Sequence, residues 1–133
     1  MTETENALGI TAVLDLDYDQ AVERTVAALK EQGFGVLTEI DVKATLKKKL
    51  DVDFQRYLII GACNPPLAHQ ALTEEPLIGL LLPCNVTVLQ EDDQTINVTF
   101  IKPSEMFKVI DNPSVASVAS EVDAKLVRAM ERL

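Results

Sequence analysis

Residues 84–90 and 95–101 narrow the possible folds of this chain more than any other part of it. Val86 and Val88 alternate with Thr87 and Leu89, and Ile96, Val98 and Phe100 alternate with Asn97 and Thr99. A period of two belongs to a strand with one buried face. The polar Glu91-Asp92-Asp93-Gln94 between the segments reads as a hairpin turn. A chain with this pair at its centre builds an antiparallel sheet and must cover one face of it.

The other segments fit around that pair. Residues 10–16 alternate as a first strand. Asp17 then stands where an N-cap would, with Gln20 as its capping partner. Val22, Val26 and Leu29 form the stripe of a helix that runs to about residue 32, and Gly33 fits the left-handed position that ends helices. Residues 34–40 read as a second strand. Asp41 is set to cap a short helix through Leu50, with Val42, Leu46 and Leu50 on one side and Lys43, Lys47, Lys48 and Lys49 on the other. Residues 56–63 make a third strand, whose Leu58-Ile-Ile-Gly-Ala62 run predicts a central position covered on both faces. Prolines 65 and 66 open a short helix over residues 67–73, and the apolar run 77–82 fits either a helical turn or a strand. Asn112 and Pro113 start a last helix, with Val115, Val118, Val122, Leu126 and Ala129 on its stripe. The order β-α-β-α-β-α-β-β-α ends in a hairpin and a helix. It predicts an α+β fold with a mostly antiparallel five-stranded sheet packed with helices.

At 133 residues the chain makes one domain, residues 1–133. Its net charge of −9 argues against phosphate backbones and anionic membranes as partners. No run reaches the length of a membrane span. The acidic, polar start is unlike a targeting signal, and two cysteines are no disulfide framework, so a cytoplasmic location is expected. There is no GxGxxG loop beyond Gly33 and Gly35, and no Ser-His-Asp arrangement. Glu39, Asp41, Asp51 and Asp53 flank the second helix as caps and solvated loop residues.

The cysteines carry the most chemistry. If the third and fourth strands pair antiparallel, Cys63 and Cys84 meet at one edge of the sheet, each followed by an asparagine, Asn64 and Asn85. Cys84 shares strand parity with Val86 and Val88, which points it to the core. His69, the one histidine, lies six positions beyond Cys63. Cys63, His69 and Cys84 would offer three ligands to a soft or borderline metal such as zinc. A helix start just after Cys63 would favour a thiolate there.

The segments Gly33-Phe34-Gly35-Val36-Leu37, Ile59 through His69 with Cys63-Asn64-Pro65-Pro66, and Ile78 through Val86 with Leu82-Pro83-Cys84-Asn85 resemble the bacterial family known as domain of unknown function 302. The resemblance runs from about residue 10 to residue 133. It implies a small cytoplasmic α+β domain, similar in topology to the TATA-box-binding-protein-like folds. That architecture hosts unrelated functions, so it implies nothing about DNA. The family has no established activity, and the resemblance assigns no catalytic residue.

Three functions fit the residues. One is a small-ligand or metal-binding sensor module with its site at Cys63, Asn64, His69, Cys84 and Asn85. Another is a thiol-dependent enzyme. The third is a homodimeric interaction protein without catalysis. The runs 58–62 and 77–82 exceed what so small a domain can cover on every side, so a homodimer is expected.

Overall fold

A computed structural model describes residues 2–133. Strands β1 (Thr2–Glu5), β2 (Gly9–Leu14), β3 (Gly35–Asp41), β4 (Tyr57–Cys63), β5 (Cys84–Gln90) and β6 (Ile96–Ile101) form one sheet in the order β1-β2-β6-β5-β4-β3. Every neighbouring pair is antiparallel. The helices are α1 (Tyr18–Glu31), α2 (Val42–Leu50), α3 (Pro65–Glu74), α4 (Pro103–Met106) and α5 (Pro113–Met130). The fold is α+β as expected, with six strands in place of five. The added strand, β1, comes from the acidic start of the chain. It is the sheet's edge and pairs only with β2, so no core-facing alternation marks it in the sequence.

Register follows the alternation. Val88, Val98 and Ala12 lie side by side on β5, β6 and β2, and Val86, Phe100 and Ile10 form the next row. The β5 and β6 members of both rows, with Ala12, are buried. The helices cover this face. α1 turns Ala21, Thr25, Ala28 and Leu29 inward, and α5 turns Val115, Val118, Ala119, Val122, Leu126 and Met130. Burying each of the valine, leucine and methionine side chains among these stabilises the fold by about 1.5–3 kcal/mol.

The caps stand where the sequence places them. Asp17 accepts from the Gln20 amide at 2.9 Å, Asp41 from that of Ala44 at 2.9 Å, and Asn112 from that of Ser114 at 3.0 Å. The run 77–82 falls in a 3-10 helix, Pro76–Leu81. Three residues per turn bury Ile78 and leave Leu77 and Leu80 outward.

One expectation fails. β4 is next to central, yet its outer face is only partly covered: inward Ile60 and Ala62 are buried, while outward Tyr57 and Ile59 are half-buried. The partner strand β5 supplies the reason, because Thr87 lies opposite Ile59 and gives the outer face a polar neighbour. α2 packs on the sheet less closely than α1 and α5 do. Its stripe is covered only in part: Val42 and Leu46 are half-buried, and Leu50 is 66% exposed. The helix leaves the sheet at its Asp41–Leu58 end, beyond the covering layer.

Gly33 follows α1 with φ +84°, and a Cβ there would come within 3.0 Å of the Asn64 amide nitrogen. Gly33→Ala is expected to cost about 1–2 kcal/mol through left-handed backbone strain. Urea denaturation would show this as a lower midpoint with an unchanged slope.

Candidate functional site

Cys84 opens β5 opposite Ala62, so Cys63 sits one residue out of register on the adjoining strand. Strand spacing of about 4.8 Å and a rise of about 3.3 Å put the two α-carbons roughly 6 Å apart. The pleat sends the side chains to opposite faces. Cys84 is buried with Val86 on the inner face, and Cys63 is half-buried at the end of β4. Both thiols are free. Both residues line a cavity of about 30 Å³ with Phe34, Asn64, Phe107 and Val122. Such a volume accepts water but no metabolite.

The electrostatics oppose a thiolate. Burial pushes the Cys84 thiol from 9.0 up to about 12, with Cys63 and Asp123 adding to the rise. Burial also raises Cys63. The start of α3 does not reverse this. Its N-cap Asn64 accepts from the Leu67 amide at 3.4 Å and donates to the Gln32 carbonyl at 3.3 Å, so that side chain is occupied in holding α3 to the end of α1.

The five residues expected to share a site lie in three places. Cys63, Asn64 and Cys84 are together. His69 is exposed on α3 and lines a separate hollow with Gln70, Thr73 and Ser114. Helical phase explains this. Leu67 and Ala71 face the core, and at about 100° per residue a side chain two positions from each points away. Cys63, His69 and Cys84 therefore form no ligand triad, and among the described residues no group of three His, Cys, Asp or Glu is placed to hold a metal. Asn85 is exposed on the outer face of the sheet, opposite Gly61.

That outer face is the feature the sequence reading missed. One row crosses all six strands: Thr4, Thr11, Thr99, Thr87, Ile59 and Ile40. Thr11 and Thr99 share a hydrogen bond at 2.8 Å. Beside it runs Val13, Asn97, Leu89 and Tyr57. No residue facing outward on β2, β6, β5 or β4 is charged. A hollow of about 420 Å³ lies on this face, walled by strand residues and by Asn6 and Leu8, with no helix residue in its lining. The signal was present in the uncharged alternate positions 85, 87, 89, 97, 99 and 101.

A third hollow, of about 250 Å³, lies between the starts of α1 and α2. Arg56 and Asp19 pair within it, while Lys43 donates to the Phe54 carbonyl and Asp41 accepts from the Ala44 amide. The Arg56 guanidinium sits 4.4 Å from the Tyr18 ring centre and 3.3 Å from Asp19. Burial, then Asp41, raises the Tyr18 hydroxyl above its ordinary value.

A maleimide at pH 7 is expected to modify Cys63 well before Cys84, and both once the chain is unfolded; peptide mass spectrometry would check it. Above pH 9 the unfolded chain releases a proton that folded Cys84 keeps until about pH 12. Stability held below pH 9 therefore falls across that interval. The fall should be smaller in Cys84→Ala, as followed by urea midpoints.

The family model described as "Domain of unknown function DUF302" matches residues 10–133. The crystal structure of an uncharacterized conserved protein DUF302 from Bacillus stearothermophilus is similar at 30% sequence identity and a TM-score of 0.85, covering 92% of this chain and 94% of that one. No curated protein matches the chain.

Proposed function

The chain belongs to the DUF302 family of uncharacterised domains, and from that premise we propose that it works as a homodimeric interaction module, pairing with a second copy through the outer face of its sheet. The observation that carries this reading is the absence of charge on that face in a chain where 25% of residues are charged. Two copies at −9 each repel over most of their surfaces. Contact between uncharged faces avoids that repulsion and removes Ile59, Leu89 and Tyr57 from water.

The area suffices. Six strands about 4.8 Å apart and about 20 Å long present roughly 500 Å². Two such faces bury at most about 1,000 Å², the lower bound for a specific interface, so the surface beside the sheet contributes as well. Exposed Leu50 at the end of α2, continued by exposed Val52 and Phe54, supplies further apolar area at the sheet's end. Four of the chain's 12 cations stand on this helix and none of its 21 acids, which favours contact with an acidic second copy.

A sensor or thiol-dependent enzyme centred on Cys63 and Cys84 is supported only by their proximity. The 30 Å³ cavity and the raised thiols weigh against it. Nucleic acid is disfavoured by the charge. Among the described residues no helix is long and apolar enough to cross a membrane.

Sedimentation equilibrium at micromolar concentration should give a species of twice 14.6 kDa. Thr99→Arg places a cation at the centre of the face. It should weaken pairing by about 100-fold or more, since burying an unpaired charge costs several kcal/mol. Thr87→Lys should do the same, and circular dichroism would verify that both variants fold. A wild-type chain that sediments at 14.6 kDa throughout overturns the reading.

A further inference from the structure

We propose that the paired sheet faces enclose a binding chamber for an uncharged molecule with a flat apolar body and an amide or hydroxyl edge, an inference that rests on the homodimeric reading above. The hollow of about 420 Å³ reaches from Thr11 on β2 to Tyr57 on β4, across the middle four strands of six. A two-fold axis centred on the face therefore sets hollow against hollow. Two concave surfaces cannot fill one another, so pairing leaves an enclosed space. Its size falls in the range of about 300–1,000 Å³ usual for ligand sites. Neither copy closes it alone.

The lining sets the ligand class. Leu89 and Tyr57 offer apolar walls, and among the described residues no charged side chain lines the hollow. Thr11 is engaged with Thr99 at 2.8 Å, and Asn97 donates to Glu91 at 2.8 Å, which ties up the nearby carboxylate. Asn85 and Thr87, two positions apart on β5, face the hollow. Among the described residues their amide and hydroxyl are claimed by no other protein group. Each copy thus presents the Asn85 amide and the Thr87 hydroxyl to the chamber, with the Tyr57 hydroxyl on the same wall. A charged molecule would lose its hydration there and gain no counter-charge. A neutral amide would exchange water for these groups at little cost.

The test uses the full chain and two fluorinated probes, 3-(trifluoromethyl)benzamide and the matching benzoate, followed by 19F line broadening, with sedimentation on the same samples. The dimer should bind the amide at least about tenfold more tightly than the carboxylate, a difference of about 1.4 kcal/mol. Asn85→Ala/Thr87→Val should still sediment as a dimer and lose that preference. Monomeric Thr99→Arg should bind neither probe. A wild-type dimer that binds both probes equally or not at all overturns the chamber and leaves the homodimer standing. So does a double variant that keeps the preference. A monomeric wild-type chain overturns both.

Discussion

The packing of Val86, Val88, Val98 and Phe100 against α1 and α5 holds the molecule in one arrangement. These four lie on the two strands at the middle of the sheet. A slip of one residue in either strand would carry threonine or asparagine to the helices and send the hydrocarbon outward. Small residues on α1, Ala21, Thr25 and Ala28, let the helix approach closely, and the Thr25 hydroxyl returns to the Ala21 carbonyl at 2.7 Å, so its burial leaves no polar atom unpaired. With one face so strongly specified, the register of β2 and β4 follows, and with it the composition of the outer face.

The same packing keeps the cysteines quiet. The side chain of Asp123 on α5 accepts from the Ser104 amide at 3.1 Å and from its hydroxyl, and so caps α4, whose own N-cap Lys102 provides no side-chain acceptor. That tie holds α5 against the end of β6. It also brings a carboxylate near enough to Cys84 to add to the effect of burial. Reactive thiols need a cation or a free helix start. This end of the sheet supplies a carboxylate, a second thiol and an asparagine already committed to capping α3.

Sheet edges are the usual hazard of such a fold, and both are protected. β1 carries Glu3 and Glu5, the latter paired with Lys102. β3 carries Glu39 and Asp41 and is interrupted by a bulge between Val36 and Thr38. Acidic edges and bulges discourage the pairing of strands between copies. Association is thereby steered away from the edges and toward the outer face, where threonine and asparagine keep the lone chain compatible with water while leaving it free of net charge.

Alternation along β5 and β6, the capping residues Asp17, Asp41 and Asn112, and the glycine after α1 were legible because each depends on neighbours within a few positions. The proximity of Cys63 and Cys84 was legible too, since antiparallel pairing of two recognisable strands requires it. The residues expected to share a site are separated for reasons of phase and placement. His69 turns away because Leu67 and Ala71 face the core, and Asn85 lies on the opposite face from Cys84. The sequence by itself determined which residues of a strand share a face, because the pleat is a local property with a period of two. Only the tertiary structure decided that the second face stays without a helical layer and that α2 leaves Leu50 exposed. Both depend on where distant segments cross: residues 42–56 leave the sheet beyond its end, while α1, α3 and α5 gather on the side where the valines lie.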